Sequence, residues 1–230
     1  MLVLFALDQY GAASRVYGPA VPLSSLQVDK HFVNSPQESY RFWKSRGLKG
    51  RIIVYVADQW KRIDLKQYEK VPLYRPYPLR LFNPSVEKER KFLDDDNFLY
   101  MASITGLARQ VTAVLSERGY EDITRQAEKA KDVSLRRGET RLPHYGFPRL
   151  FTTAAGFRDP REPVILFVSA SYFRDNEPKD LFRTLSASGI IADYVGLCRE
   201  RQDDSVSDRE REKLVRFAQI MDMATPGRDP

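Results

Sequence analysis

Polar residues that could take part in chemistry follow three apolar segments of the chain. They are Asp58 and Gln59 after residues 51–57, Ser169, Ser171 and Arg174 after residues 163–168, and Cys198 and Arg199 at the end of residues 192–198. Hydroxyls, a thiol, one carboxylate and two guanidiniums could bind an anionic ligand or support nucleophilic catalysis. Each also has a structural interpretation, as a turn cap, a backbone partner or a small buried side chain.

Common catalytic and cofactor motifs are absent from the sequence. It contains no Gly-rich phosphate loop, no paired cysteines, no His-x-x-x-His and no Gly-x-Ser-x-Gly. The two histidines and single cysteine leave little material for a His- or Cys-based metal site. The sequence therefore assigns no catalytic residue, no metal ligand and no cofactor.

The elements that must position these residues follow from periodicity. Residues 51–57, 163–170 and 192–198 are continuous apolar runs, which predict strands buried on both faces. Helices are predicted for residues 36–46 and 178–187, and a last helix is predicted after Ser207, with Glu210 in the capping-box position. Strands alternating with helices across short links predict an α/β fold, a three-layer sandwich with a mainly parallel sheet. The ends of its strands meet at one edge, where the polar residues could converge.

The middle of the chain leaves two interpretations open. An acidic cluster, residues 94–97, is expected to cap a helix over residues 98–116. Alternatively, Gly106 ends that helix and residues 110–115 form a strand. A charged helix is predicted for residues 122–137, and the prolines of residues 71–84 indicate an extended connection.

One domain accounts for most of the 230 residues. We expect an N-terminal arm or residual export segment over residues 1–35, a single α/β domain over 36–224 and a frayed tail over 225–230. No apolar run approaches the roughly 20 residues that span a bilayer. A cytoplasmic protein is expected; the alternative is an exported one with a truncated signal, since residues 2–7 are apolar.

Positive charge is concentrated in one stretch of the sequence. Residues 41–91 carry 14 basic and 5 acidic side chains, whereas the whole chain has a formal net charge of +6. This basic stretch also contains tyrosines and tryptophans, a composition found in nucleic-acid-binding surfaces. The alternative is a solvated face whose long basic side chains cover apolar surface.

Several segments resemble the arginase-like (ureohydrolase) superfamily. Residues 162–173, which end in Tyr172-Phe173, are similar to a strand motif of a short branch of that superfamily, and the helix and strand that follow are similar too. Residues 42–59 resemble the upstream strand motif. The resemblance implies an arginase-like fold in which two manganese ions at these strand ends activate a bridging hydroxide.

The residues that the resemblance assigns to the metals are missing. Phe167, Ser169 and Ser171 stand at the three aspartate positions, and Tyr55 and Gln59 stand at the histidine positions. Neutral oxygens bind a hard divalent ion much more weakly than carboxylates do. The resemblance therefore implies a relative that has lost its metal centre.

Three functions are compatible with these residues. The first is a non-catalytic, metal-free arginase-like protein, without a cofactor, that binds a small anionic ligand or a protein partner. The second is a metal-independent hydrolase or transferase for an anionic substrate, using Asp58, Ser169, Ser171, Cys198 and Arg199. The third is a basic adaptor that binds nucleic acid or another polyanion through residues 41–91. We favour the first because the metal ligands are replaced.

Overall fold

The computed structural model describes residues 21–23, 28–60, 89, 91–128, 134–136, 139–142 and 149–223. Within these residues the strands are β1 Val21–Pro22, β2 Lys30–Val33, β3 Arg51–Ala57, β4 Ala108–Leu115, β5 Ser134–Arg136, β6 Glu139–Leu142, β7 Arg149–Thr153, β8 Val164–Ser169 and β9 Ile191–Cys198. The α-helices are α1 Pro36–Ser45, α2 Phe98–Ile104, α3 Glu117–Ala127, α4 Pro178–Ala187 and α5 Asp208–Met223, and a 3-10 helix spans Ala170–Arg174.

The described strands form one sheet with a parallel centre. Its six parallel strands lie in the order β2-β9-β8-β3-β4-β7. The short strand β1 pairs antiparallel with the start of β9, and β6 and β5 extend the sheet antiparallel beyond β7. The α/β class and the mainly parallel sheet are thus confirmed.

Helices cover the sheet on both faces. Alternate residues of β3 point into two separate apolar clusters, Ile53 and Tyr55 into one and Ile52 and Val54 into the other. Helices α1 and α2 pack into the first cluster, and α4 and α5 into the second. A strand buried on both faces needs apolar residues at every position, which explains the continuous runs in the sequence.

Three predicted helices agree closely with the structure. Helix α1 begins at Pro36 and ends at Ser45, and α4 spans the predicted residues 178–187. Helix α5 follows Ser207, and Glu210 forms the predicted capping box by accepting the Ser207 N–H while its own N–H faces the Ser207 hydroxyl. The capping residues and the apolar periodicity predict the same boundaries for these helices, so together they were sufficient to locate them in the sequence.

The prediction of one helix over residues 98–116 is wrong. The alternative, a helix that ends at Gly106 and is followed by a strand, is confirmed. Helix α2 ends at Ile104, Gly106 adopts φ +75°, and the chain continues as strand β4. The Asp94 carboxylate accepts the N–H groups of Asp96 and Asn97 at 3.0 and 2.8 Å, so it closes the turn before the helix. The neighbouring Asp95 accepts the Gln37 N–H at 3.0 Å and holds the start of α1.

The helix predicted for residues 122–137 is only partly present. Helix α3 begins earlier, at Glu117, because Ser116 caps it by accepting the Gly119 N–H at 3.1 Å. It ends at Ala127, and residues 134–136 form strand β5. Charged composition indicated a helix but did not locate its ends.

Several predicted segments lie outside the described residues, among them the proline-rich connection over 71–84, the tail over 225–230 and the apolar run over 2–7. Most of the basic stretch, residues 61–88, also lies there. Strands β1 and β2 show that the sheet extends to the N-terminal side of residue 36.

A buried ion pair near the start of β3 predicts a pH-dependent stability. Arg51 lies 2.8 Å from Asp193, whose side chain is almost fully buried. Burial raises the pKa of the Asp193 carboxyl, while the Arg51 guanidinium acts in the opposite direction. A carboxyl with a raised folded-state pKa stabilises the fold when protonated, below about pH 3.9, and this contribution is lost as pH rises through the folded pKa.

We therefore expect the destabilisation caused by Asp193→Asn to be largest near pH 4 and to shrink towards pH 7, because asparagine cannot ionise. Urea unfolding of both proteins at each pH measures the difference in unfolding free energy. Asp180→Asn, at a largely exposed side chain, is the control. A difference that grows with pH would contradict the expectation.

Candidate functional site

The candidate site lies where the order of the parallel strands reverses. From β3 the chain adds β4 and then β7 on one side, and β8 then returns to the other side of β3. In open α/β sheets, ligands bind beyond the carboxyl ends of the strands at such a point. Asp58 follows β3 there, and Ser169 ends the neighbouring β8.

Asp58 is held in a closed polar network. Its carboxylate accepts a hydrogen bond at 3.0 Å from Arg174 Nη1 and faces the Ser116 hydroxyl at 2.7 Å. Arg174 Nε also lies 3.0 Å from Glu210, and Nη2 donates to the Ser205 carbonyl at 2.8 Å. Asp58 is 3% exposed and Glu210 5% exposed. One guanidinium therefore serves two buried carboxylates, which ties β3 to the start of α5.

A second network joins the ends of β8 and β9. The Ser169 hydroxyl contacts the Glu200 carboxylate and lies 2.6 Å from the Ser171 hydroxyl. The Ser171 N–H also lies 3.1 Å from Glu200, which is 3% exposed. Glu200 adopts φ +48°, a left-handed conformation that costs a non-glycine residue about 1 kcal/mol.

Aromatic side chains fill the same edge of the sheet. The Tyr55 ring stacks on Phe167 with centroids 5.5 Å apart, and Phe98 lies 5.2 Å from Phe167. Trp60 meets Tyr55 edge-on at 5.7 Å. Burial first, and then the negative charges of Glu200 and other groups, raise the pKa of the Tyr55 phenol, which stays neutral at ordinary pH. The strand ends thus hold packed rings, not an open polar cleft.

The predicted site residues do not all converge. Asp58 contacts Arg174, and Ser169 contacts Ser171. Gln59, however, is exposed, and Cys198 is fully buried opposite Ser169 in the sheet register. The Arg199 guanidinium lies 4.6 Å above the Phe32 ring, in a groove along α5.

Three residues of the two networks were not among the sequence candidates. Ser116 directly follows β4, which the preferred prediction made helical, so the end of this strand was not inspected. Glu210 was identified only as a helix cap. Glu200 carried a weak signal, as an acidic residue two positions beyond a buried strand.

Two concave surfaces flank the segment that follows β9. An acidic pocket of about 270 Å³ includes Asn34, Asp95, Glu200, Asp203 and Asp204 in its lining. A larger open groove, with arginines in its walls, lies along α5. Among the described residues, no three His, Cys, Asp or Glu side chains are grouped so that they could hold a metal ion. The loss of a metal centre stays a prediction.

Comparisons with protein-family models, with curated proteins and with solved structures find no match to this chain. The class that the fold and the site define is therefore an α/β protein with a mainly parallel sheet. In the part of the chain that the structure describes, no helix is long and apolar enough to cross a membrane.

Proposed function

We propose that this protein is a non-catalytic, metal-free α/β protein with an arginase-like fold, which binds a ligand or a protein partner away from the ancestral metal site. The observation that carries the proposal is the closed state of Asp58. Its carboxylate faces a guanidinium and a hydroxyl, so its charge is already compensated. A metal ion at this position would have to displace Arg174.

The aromatic packing supports the same conclusion. Phe167 and Tyr55 stand at positions that the resemblance assigns to metal ligands, and they stack on each other in the core. A phenylalanine offers no donor atom, and a buried neutral phenol is a poor ligand for a hard cation. The two remaining serine positions face Glu200, and Ser169 is fully buried.

Manganese binding tests this proposal. We expect purified protein to carry no stoichiometric manganese and its melting temperature to stay unchanged as MnCl2 is raised to 1 mM, because a ligand that binds the folded state raises that temperature. Elemental analysis and thermal unfolding measure the two quantities. Asp203→Asn is the matched variant, because it removes a carboxylate from the acidic pocket and leaves the strand ends intact. Tight manganese that survives Asp203→Asn would overturn the proposal.

A second candidate function is a metal-independent serine hydrolase. The observation that favours it is the chain of contacts from the half-buried Ser171 hydroxyl through Ser169 to the Glu200 carboxylate. Such a chain could carry a proton from a nucleophilic serine to a carboxylate base.

A fluorophosphonate probe, which labels activated serines, separates the two functions. If the protein is a serine hydrolase, we expect the probe to label it and Ser171→Ala to abolish the labelling. Ser205→Ala is the control and is expected to leave the labelling unchanged, because the exposed Ser205 hydroxyl is bonded to Asp203 and lies outside the Ser171 chain. If the protein is non-catalytic, we expect no labelling of Ser171. Mass spectrometry of the labelled peptides decides between them.

A further inference from the structure

The carboxyl end of β9 and the exposed face of α5 enclose an open groove of about 710 Å³, here named the arginine groove. Four arginines line it, namely Arg199, Arg201, Arg211 and Arg216, together with Glu212 and Val215. Lysine is absent from this lining. Guanidinium groups form planar, paired hydrogen bonds with carboxylates, which a lysine ammonium cannot reproduce.

Arg211 builds the wall of the arginine groove. Its Nη1 donates to Asp208 at 2.9 Å, and its other N–H groups donate to the carbonyls of Arg199 at 3.1 Å and Glu200 at 3.2 Å. Its charge is compensated by Asp208, and its donors fix the segment after β9 against α5. The groove is therefore preformed, which lowers the entropic cost of binding.

The other three arginines have no ion-pair partner in the part of the chain that the structure describes. Among the described residues, no carboxylate lies within ion-pair distance of Arg199, Arg201 or Arg216. The Arg199 guanidinium carbon lies 4.6 Å from the centroid of the Phe32 ring, a cation–π contact that does not occupy its N–H groups. Asp208 is paired with Arg211, so Glu212 is the one other carboxylate in the lining. The three remaining arginines therefore give the groove an excess of positive charge.

Glu212 and Val215 indicate what kind of anion fits. Val215 is 37% exposed and is the large hydrophobic residue that the described part of the chain leaves exposed. Together with Glu212 and Arg216, it lies on the groove face of α5. A carboxylate and an apolar patch among the arginines suit a ligand with carboxylates and an apolar side chain better than a uniform phosphate backbone.

We propose that the arginine groove binds an acidic peptide segment of a partner protein, with carboxylates on Arg199, Arg201 and Arg216 and an apolar side chain on Val215. The acidic pocket, lined by Glu200, Asp203 and Asp204 of the segment after β9, would repel such a peptide. The peptide is therefore directed along α5. The lining of the arginine groove includes neither Asp58 nor Ser169, so the result of the manganese test does not decide this proposal.

Fluorescence anisotropy tests the proposal with the full-length chain. The probe is a fluorescein-labelled peptide of four Glu-Glu-Leu repeats at 50 mM NaCl. Replacing Arg199, Arg201 and Arg216 with glutamine is expected to weaken binding roughly 30-fold. The matched control replaces the exposed Arg41, Arg125 and Arg183 with glutamine, which changes the net charge equally, and is expected to weaken binding less than threefold. Thermal unfolding checks the fold of each variant.

Two further measurements test whether the peptide binds in the arginine groove itself and whether the groove prefers a peptide to a nucleic acid. Arg216→Gln alone, on the exposed face of α5, is expected to weaken peptide binding about fivefold, and Val215→Ser to weaken it by a similar factor without affecting a labelled dT12 oligonucleotide. Equal weakening by both triple variants would overturn the proposal. Tighter binding of dT12 than of the peptide, lost in the groove variant, would also overturn it in favour of a nucleic-acid site.

Discussion

Replacing Arg174 with methionine is expected to lower the free energy of unfolding by about 3 kcal/mol, a large fraction of the stability of a domain of this size. Methionine keeps most of the side-chain volume but removes the donors to Asp58 and Glu210. Both carboxylates are buried, so neither can be fully hydrated after the guanidinium is gone. Urea unfolding of the wild type and the variant measures the change.

Two variants show whether this cost comes from the buried network. Arg183→Met removes an exposed arginine paired with Asp180 and is expected to cost less than about 1 kcal/mol. Arg174→Lys keeps the charge but cannot reach both carboxylates in the same geometry, so an intermediate loss is expected. Equal losses for Arg174→Met and Arg183→Met would show that the network contributes little.

The same network links the sheet to the start of α5. Glu210 receives Arg174 on one oxygen and the Ser207 N–H on the other. Losing Arg174 therefore frees a residue that caps the helix, and amide hydrogen exchange near residues 203–211 should quicken in the methionine variant. A loss of stability on this scale would agree with the proposed non-catalytic role of the strand-end residues.

The centre of the sheet was predictable because its strands are buried on both faces. Strands β3, β8 and β9 are apolar at nearly every position, and the short links between β8, α4 and β9 left little freedom of topology. Strands β2 and β7 were missed. Their residues KHFV and RLFTT are short and mixed in polarity, and β2 forms through pairing with β9, more than 150 residues later in the sequence.

The candidate site was predictable only in part, because the sequence identified Asp58, Ser169 and Ser171 but not the contacts that they make. The rule that strand ends meet at one edge correctly brought Asp58 towards the end of β8. It could not show that Arg174 would reach across to neutralise Asp58, because that contact depends on the 3-10 helix after β8. Nor could it place Glu200 under the serines, since this requires a left-handed backbone that no local sequence signal demands.

Gly119→Ala is expected to destabilise the protein by at least about 2 kcal/mol, although the same change inside most helices stabilises them by about 1 kcal/mol. Gly119 lies in the first turn of α3, which packs closely against the end of β3. A Cβ atom at this position would lie 2.0 Å from the Asp58 carbonyl oxygen and 3.3 Å from the Gln59 Cα. These are backbone atoms, so no side-chain rotation relieves the overlap.

Helix α3 would have to move away, and this motion would stretch the contacts of Ser116, whose hydroxyl joins the Asp58 carboxylate to the Gly119 N–H. Gly189→Ala is the matched control, because Gly189 has φ +79° and open space around a new Cβ. Its cost is backbone strain alone, about 1 kcal/mol. Urea unfolding should therefore rank Gly119→Ala below Gly189→Ala in stability. The reverse order would mean that α3 can shift without cost, and that Asp58 does not depend on a fixed contact between α3 and β3.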